Sequence, residues 1–293
     1  MRLLSCFLIG GLLFAQQPPA PGARKRPQRP QRPGVKEVQK PMTELTPVAV
    51  FPVPGVPDWT TASPDGVWVS NKPKNSISKL NTKTNTVEGT VEVGQKPCSG
   101  IAYGFKSVWA PNCGDNTVSR VDDKTLKVVA TIPVGPANSE GGIACSKEAV
   151  WLPTGEKGDT VARIDPKKNT VTARVTVAEG SYTADFGEGA VWVTSTKGNL
   201  VSRIDPKKNV VTDTIPVGPS PRFLTVGEGF VWTLNQGDGT VSKIDPKTRK
   251  TVATIPAGIP GGGGEISAGG GSVWITVFQI PVTRIDPVTN KVS

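Results

Sequence analysis

Six times along this chain a valine stands next to a tryptophan, and the spacing of those tryptophans limits what the chain can become. Trp68, Trp109, Trp151, Trp192, Trp232 and Trp274 lie 41, 42, 41, 40 and 42 residues apart. A second phrase keeps step with them: Leu80-Asn81, Val121-Asp122, Ile164-Asp165, Ile204-Asp205, Ile244-Asp245 and Ile285-Asp286. Short β-branched runs separated by Gly, Pro and Asn fill the intervals. One such unit cannot bury its apolar residues alone, whereas stacked units can. A fixed period of 40 to 43 residues made of short strands therefore predicts β-propeller blades. In the fourth unit the strands read as 184–186, 191–194, 201–204 and 210–217. The expected fold is all-β: a six-bladed propeller of four-stranded blades.

The repeats begin out of phase. Val48-Ala49-Val50-Phe51-Pro52-Val53-Pro54-Gly55 matches Val129-Ala130-Thr131-Ile132-Pro133-Val134-Gly135, the last strand of a blade. The chain ends at Ser293, just after Ile285-Asp286-Pro287-Val288-Thr289-Asn290, where another last strand should follow. The N-terminal strand is thus expected to complete the final blade and close the ring, which removes the exposed sheet edges of an open array. The propeller domain then spans residues 47–293.

What precedes it is of another kind. Residues 1–15 read as a secretory signal, Arg2 followed by an apolar run from Leu3 to Phe14 and then Ala15. The run is too short to span a membrane. Residues 16–46 form a linker rich in Pro and Arg, extended and with little to bury. Seven basic residues against Glu37 and Glu44 give this linker +5 of the +10 net charge, and Arg2 adds one more, leaving +4 for the repeats. No aromatic residue interleaves the linker's charges to stack on bases, which argues against nucleic acid as a partner. The linker reads as a solvated spacer, or as an electrostatic tether to wall polymer or lipid headgroups. The localisation expected is periplasmic or extracellular, and the protein a monomer.

The repeated residues have structural explanations. Tryptophan once per blade is a wedge between neighbouring sheets. Asp-Pro-Lys-x-Asn suits a tight hairpin in which Pro presets φ, the Asp side chain caps the turn and Asn takes the left-handed position. Along the innermost strand, Thr61, Ala102, Ala144, Asp185, Thr225 and Ser267 stand seven residues before each tryptophan and should face a narrow central channel. Thr60, Ile101, Ile143, Ala184, Leu224 and Ile266, one position earlier, should point away into the packing between blades.

Function in a repeat ring belongs where the repeats differ. The loops entering the first strand and leaving the second share one mouth of the channel. Asp58, Trp59, Glu140, Tyr182, Arg222, Phe223 and Glu265 stand there, joined by Asn71, Asn112 and Asn235 at the ends of second strands. The candidate ligand-binding set is Trp59, Asn71, Asn112, Glu140, Tyr182, Asp185, Arg222, Asn235 and Glu265, with Arg222 suited to a carboxylate or phosphate. Asp185 is expected to be the most perturbed acid. Polar, variable loops with no ligand would look the same at this level. A hairpin turning at Phe105-Lys106 pairs residues whose numbers sum to 211, so Cys98 falls opposite Cys113 and a disulfide is expected there; the alternative is free buried thiols. Cys145 is left single among apolar neighbours.

Thr240-Val241-Ser242-Lys243-Ile244-Asp245-Pro246-Lys247-Thr248 followed by Val252-Ala253-Thr254-Ile255-Pro256 resembles the YVTN-type propeller repeat. Gly-x-Val-Trp-Val with Ser-Arg-Ile-Asp-Pro resembles the propellers grouped with virginiamycin B lyase, over about residues 47–293. That resemblance implies a seven-bladed ring, magnesium, and a histidine assisted by a glutamate that open a cyclic ester by elimination. This chain has no histidine and six visible blades, so no catalytic residue is assigned. The leading expectation is an exported binding scaffold for a small molecule, peptide or cell-envelope ligand, without a cofactor. The alternative is a lyase or lactonase assisted by magnesium or calcium: Glu140, Asp185 or Glu265 would stand in for the lyase histidine, and Glu265, Asn112, Asn235 and Asp185 would be the raw material for a lactonase metal site.

Overall fold

The Asp-containing hairpin shows how closely the chain repeats itself. In every unit the Oδ1 atom of the residue closing the third strand accepts hydrogen bonds from the backbone N–H groups two and three residues on. Asn81, Asp122, Asp165, Asp205, Asp245 and Asp286 all do so, at 2.7 to 3.3 Å. The residue that leaves each turn, Asn85, Leu126, Asn169, Asn209, Arg249 or Asn290, has φ between 54° and 58°. Asn tolerates this left-handed backbone better than other non-glycine residues.

In the computed structural model, which describes residues 44–97, 100–137, 140–258, 264–277 and 280–293, these units form antiparallel blades around a common axis. The protein is a six-bladed β-propeller. Blade 4 is typical: Ser181–Gly187 innermost, then Ala190–Ser195, Leu200–Asp205 and Val210–Pro216. The other innermost strands are Val56–Ser63, Ala102–Gly104, Ala144–Cys145, Pro221–Gly227 and Glu265–Gly269. The expected leader and most of the linker lie outside the described residues. No helix among the described residues is long and apolar enough to cross a membrane.

The tryptophans wedge blade to blade. Trp68, Trp109, Trp151, Trp192 and Trp232 are each 0% exposed, and each sits in an apolar cluster shared with the next blade. Trp192, for example, packs with Leu224, Val231 and Ile244 of blade 5. A basic residue of the third strand pairs with each tryptophan across the sheet and lies over its ring: Lys79, Arg120, Arg163, Arg203, Lys243 and Arg284, at 5.0 to 6.0 Å. Three of these cations also reach the hairpin turn of the next blade. Lys79 Nζ donates to the Asp123 carbonyl at 2.9 Å, Arg120 to the Pro166 carbonyl and Asn169 Oδ1, and Lys243 to the Pro287 carbonyl at 2.7 Å.

The sixth blade departs from expectation. Residues 48–54 belong to no strand, and the first blade begins at Val56. Blade 6 has three named strands. Its outer edge is taken up by the chain's own C-terminus: Val292 bridges Ile285, and Arg284 and Ser293 exchange both backbone hydrogen bonds at 3.0 and 2.8 Å. The Asp286–Asn290 turn delivers Val292 to that edge within a few residues, whereas Val48 would have to close a loop of more than two hundred. At the junction of blades 6 and 1, Trp274 is 39% exposed.

The cysteine hairpin keeps the predicted register over Ala102↔Trp109, Tyr103↔Val108 and Gly104↔Ser107, with Phe105 and Lys106 at φ 55° and 57°. Cys113 is disulfide-bonded, and Cys145 is free. Cys98, the expected partner, lies outside the described residues.

Candidate functional site

Three innermost strands are irregular at the same end of the channel. In blade 1 the pairing jumps from Pro57↔Asn71 to Thr60↔Val69, so Asp58 and Trp59 together oppose Ser70. In blade 4 it jumps from Ser181↔Ser195 to Ala184↔Val193, leaving Tyr182 and Thr183 opposite Thr194. In blade 5 Arg222 is the extra residue, between Pro221↔Asn235 and Phe223↔Leu234. A bulge breaks the in–out alternation and re-aims the side chain it carries. The backbone freed by each bulge is bonded by hydroxyls: Ser70 Oγ accepts from Trp59 N at 3.0 Å, Thr194 Oγ1 accepts from Thr183 N at 3.1 Å and donates to the Arg222 carbonyl at 3.2 Å.

The bulged residues gather into one cluster. Phe223 lies 5.6 Å from Trp59 and 6.0 Å from Tyr182, ring centre to ring centre. The Arg222 guanidinium lies over the Tyr182 ring at 4.7 Å and the Phe223 ring at 5.3 Å. Its Nη2 donates to Glu140 Oε2 and to the Tyr182 hydroxyl. Burial pushes the Tyr182 phenol up, against the opposing pull of Arg222. Innermost strands are tied to one another at this end: Gly100 N donates to the Gly141 carbonyl at 2.7 Å, and Gly142 N to the Tyr182 carbonyl at 3.1 Å. A Cβ on Gly142 would stand 2.4 Å from Thr183 Cγ2, so this approach requires glycine.

Below the cluster the channel opens into a cavity of about 460 Å³ bordered by all six blades. Thr60, Ile101, Ile143, Ala184, Leu224 and Ile266 border it, as do Asp185, Thr225 and Ser267. Ile101, Ile143, Ala184, Leu224 and Ile266 are buried in the clusters between blades, as expected, yet they border the channel too, so the two sets are not exclusive. Each blade stands edge-on to the axis, so side chains from both faces of its innermost strand flank the channel.

The cavity holds two shielded acids. Asp185 bridges blades 4 and 5: Oδ2 accepts from Val226 N at 2.8 Å and Oδ1 from Phe186 N at 2.7 Å. Burial raises its carboxyl to about 6 despite these bonds. Glu265 Oε1 accepts from Ile266 N at 2.9 Å, while Oε2 is buried with no partner among the described residues. Burial raises Glu265 further, to about 8; the Asp185 charge adds to the shift and Arg222 opposes it. Asp185 was expected to be the most perturbed acid, but Glu265 exceeds it because its second oxygen lacks a backbone donor. Trp59 Nε1 and Thr183 Oγ1 also border the cavity, buried and without partners among the described residues.

Trp59, Glu140, Tyr182 and Arg222 thus meet at the mouth, and Asp185 and Glu265 lie on the channel wall. Asn71, Asn112 and Asn235 are buried within their blades instead. Each donates from Nδ2 to a Ser or Thr pair on the neighbouring strand, as Asn235 does to Thr240 and Ser242 at 3.0 and 2.8 Å. Thr183 and the bulges escaped the sequence reading. The available signal was a surplus of residues on the first strand relative to the second.

The opposite face also carries depressions, of about 530 Å³ around Lys147, Phe186 and Lys207 and about 520 Å³ around Phe105, Arg120 and Lys167. They are lined mostly by turn residues, and among the described residues no buried polar atom without a partner borders them.

The lyase resemblance implies magnesium. The residues present do not fit that ion, which asks for about six oxygens in octahedral array. No group of three His, Cys, Asp or Glu side chains that could hold a metal occurs among the described residues. Two of the unpartnered groups here, the Trp59 indole and Arg222 Nε, are donors.

Among solved structures, the chain is similar in fold to virginiamycin B lyase from Staphylococcus aureus, with TM-score 0.66 and 19% identity over 81% of this chain and 83% of that one. A functionally unknown protein from Desulfotomaculum acetoxidans matches at TM-score 0.62 and 15% identity over 77% of each chain. The computationally designed protein Ika8 matches at TM-score 0.61 and 12% identity over 81% of this chain and 73% of its own. The sequence matches no family model and no curated protein. These likenesses show the propeller fold.

Proposed function

We propose that this protein is an exported binding propeller that takes a small ligand into the mouth of its central channel. One observation carries the reading. Three buried polar groups without partners among the described residues, Trp59 Nε1, Thr183 Oγ1 and Glu265 Oε2, border a single cavity. An unmet buried donor or acceptor costs about 1–3 kcal/mol, so a ligand that satisfies several of them is bound with a gain. The aromatic group of Trp59, Tyr182 and Phe223 supplies the apolar wall that such sites use. Arg222 Nη2 is engaged by Glu140 and Tyr182, which positions the guanidinium at the mouth.

Export rests on the signal-like residues 1–15 and the linker behind them. The YVTN-type and lyase-like repeat phrases support a scaffold of this family, and the absence of histidine separates the chain from the lyase chemistry they imply. The test is a thermal-shift and tryptophan-fluorescence screen with peptidoglycan fragments, short peptides and small amines, repeated on Thr183→Val and Tyr182→Ala. Saturable binding weakened at least tenfold by either substitution is expected. Ligands whose affinity is unchanged in both variants would place the site elsewhere. Ring opening of a cyclic depsipeptide by the purified protein would replace the binding reading with a catalytic one.

A further inference from the structure

The lining of the cavity is charged in one sense only. Asp58, Asp185 and Glu265 border it, and among the described residues no lysine or arginine does, in a chain whose net charge is +10. The charged groups around it are accounted for. Asp58 pairs with Lys72 at 2.5 Å, Asp185 is bonded by two backbone N–H groups, and Arg222 is held by Glu140 and Tyr182. Of these charged groups, among the described residues, Glu265 Oε2 is the carboxyl oxygen left buried without a partner, and Arg222 Nε the donor. Beside these acids stand the Trp59 ring and the buried Thr183, 6% exposed, whose hydroxyl is also unpartnered.

We propose that the channel cavity binds an organic ammonium ion, its cationic head against the Asp185 and Glu265 carboxyl groups and its apolar substituents against Trp59. This names a ligand class for the binding reading and rests on it. An ammonium suits the site for three reasons. Two carboxyl groups and an aromatic face are what recognition of alkylated amines uses, each cation–aromatic contact adding about 0.5–2 kcal/mol. A cation of this kind needs no ordered shell of oxygens, unlike a divalent metal. The cavity, at about 460 Å³, falls within the range of about 300–1,000 Å³ typical of small-molecule sites.

Ionisation couples to binding. Glu265 holds its proton up to about pH 8 and Asp185 up to about 6. A cation must displace the Glu265 proton near neutral pH, so affinity rises with pH and levels off above 8. It falls again as Asp185 protonates below 6. The other groups near these acids are Arg222, Tyr182, Glu140, the Asp58–Lys72 pair and the Cys145 thiol, which burial pushes up to about 12.

The experiment is isothermal titration of the full chain with choline, whose charge is independent of pH, and with 3,3-dimethylbutan-1-ol, its neutral isostere. At pH 8.5 choline should bind at least tenfold more tightly than the isostere. The preference should shrink at least tenfold in Glu265→Gln, which keeps the side chain's shape, and again at pH 6 in the native chain. At pH 7.5 choline binding should release protons, read as a heat that depends on the buffer's ionisation enthalpy. Asp185→Asn gives a second variant should Glu265→Gln fail to fold. Equal affinity for choline and isostere overturns the ammonium inference and leaves the channel as a binding site. Displacement of choline by sub-millimolar Mg²⁺ or Ca²⁺ overturns it in favour of a metal. Failure of choline, tetramethylammonium and spermidine to bind overturns it as well, while the screen with Thr183→Val judges the binding reading separately.

Discussion

Trp192→Ala and Trp274→Ala remove the same side chain from corresponding positions in blades 4 and 6, and they should differ in effect. Each indole donates to the carbonyl five residues earlier, at 3.0 Å to Gly187 in one case and 3.0 Å to Gly269 in the other. Each carries an arginine over its ring, at 5.7 and 6.0 Å. Hydrogen bond and cation–aromatic contact therefore cancel in the comparison, and burial remains. A tryptophan buries about 150–250 Å², which at about 25 cal/mol per Å² is about 4–6 kcal/mol for full burial. That agrees with the roughly 3–5 kcal/mol of core Trp→Ala changes. Trp192 is 0% exposed and Trp274 39%. The expected losses are then about 4 kcal/mol for Trp192→Ala and about 2 for Trp274→Ala. At roughly 2–4 °C per kcal/mol for a domain of this size, the melting temperature drops by about 12 °C and about 6 °C. Guanidinium unfolding of both variants, with midpoints compared at unchanged m, measures the difference. Equal losses, or a larger one for Trp274→Ala, would mean that the junction of blades 6 and 1 is packed like the other five.

Two further predictions concern charge. The raised carboxyl groups Asp185 and Glu265 favour the folded state while protonated, so their contribution is complete below about pH 4 and is lost as pH rises through about 6 and 8. The turn carboxyls Asp122, Asp165, Asp205, Asp245 and Asp286 are lowered by backbone hydrogen bonds, and their contribution appears above about pH 4 and is lost below it. Melting temperature should therefore fall at both extremes. Glu265→Gln should flatten the limb between pH 6 and 9, and identical slopes in calorimetry of the two proteins would refute this. Asp123→Asn leaves Lys79, whose ammonium lies 3.2 Å from that carboxylate, charged and buried. Because Lys79 keeps Glu88 at 3.4 Å and the residue-123 carbonyl at 2.9 Å, the loss should be about 1–3 kcal/mol. Adding Lys79→Met should restore much of the loss, and a double variant no more stable than the single in urea unfolding would show that the pair is not the cause.

The fold was legible because its determinants are local and repeated. Val-Trp spacing, Asp-Pro-Lys-x-Asn turns and the hairpin register around Phe105-Lys106 depend on neighbours within a few residues, and six copies reinforce one another. The gathering of Trp59, Tyr182 and Arg222 near the mouth could be anticipated from their place outside the repeat. Their mutual arrangement could not, since it depends on bulges that insert one residue into a ladder, and a pattern of period two does not reveal which residue is extra. Asn71, Asn112 and Asn235 look like site residues in sequence. Only the third strand, with its Ser and Thr pair beside each amide, makes them part of a blade's interior. The edge of the last blade was likewise decided in three dimensions. The segment from Val48 has the right pattern for it, but the Asp286–Asn290 hairpin places Val292 there first. What the sequence by itself determined was the unit and its number. Tertiary structure decided which unlike residues meet at the axis and which polar atoms they leave without partners, because those depend on distances between blades that are far apart along the chain.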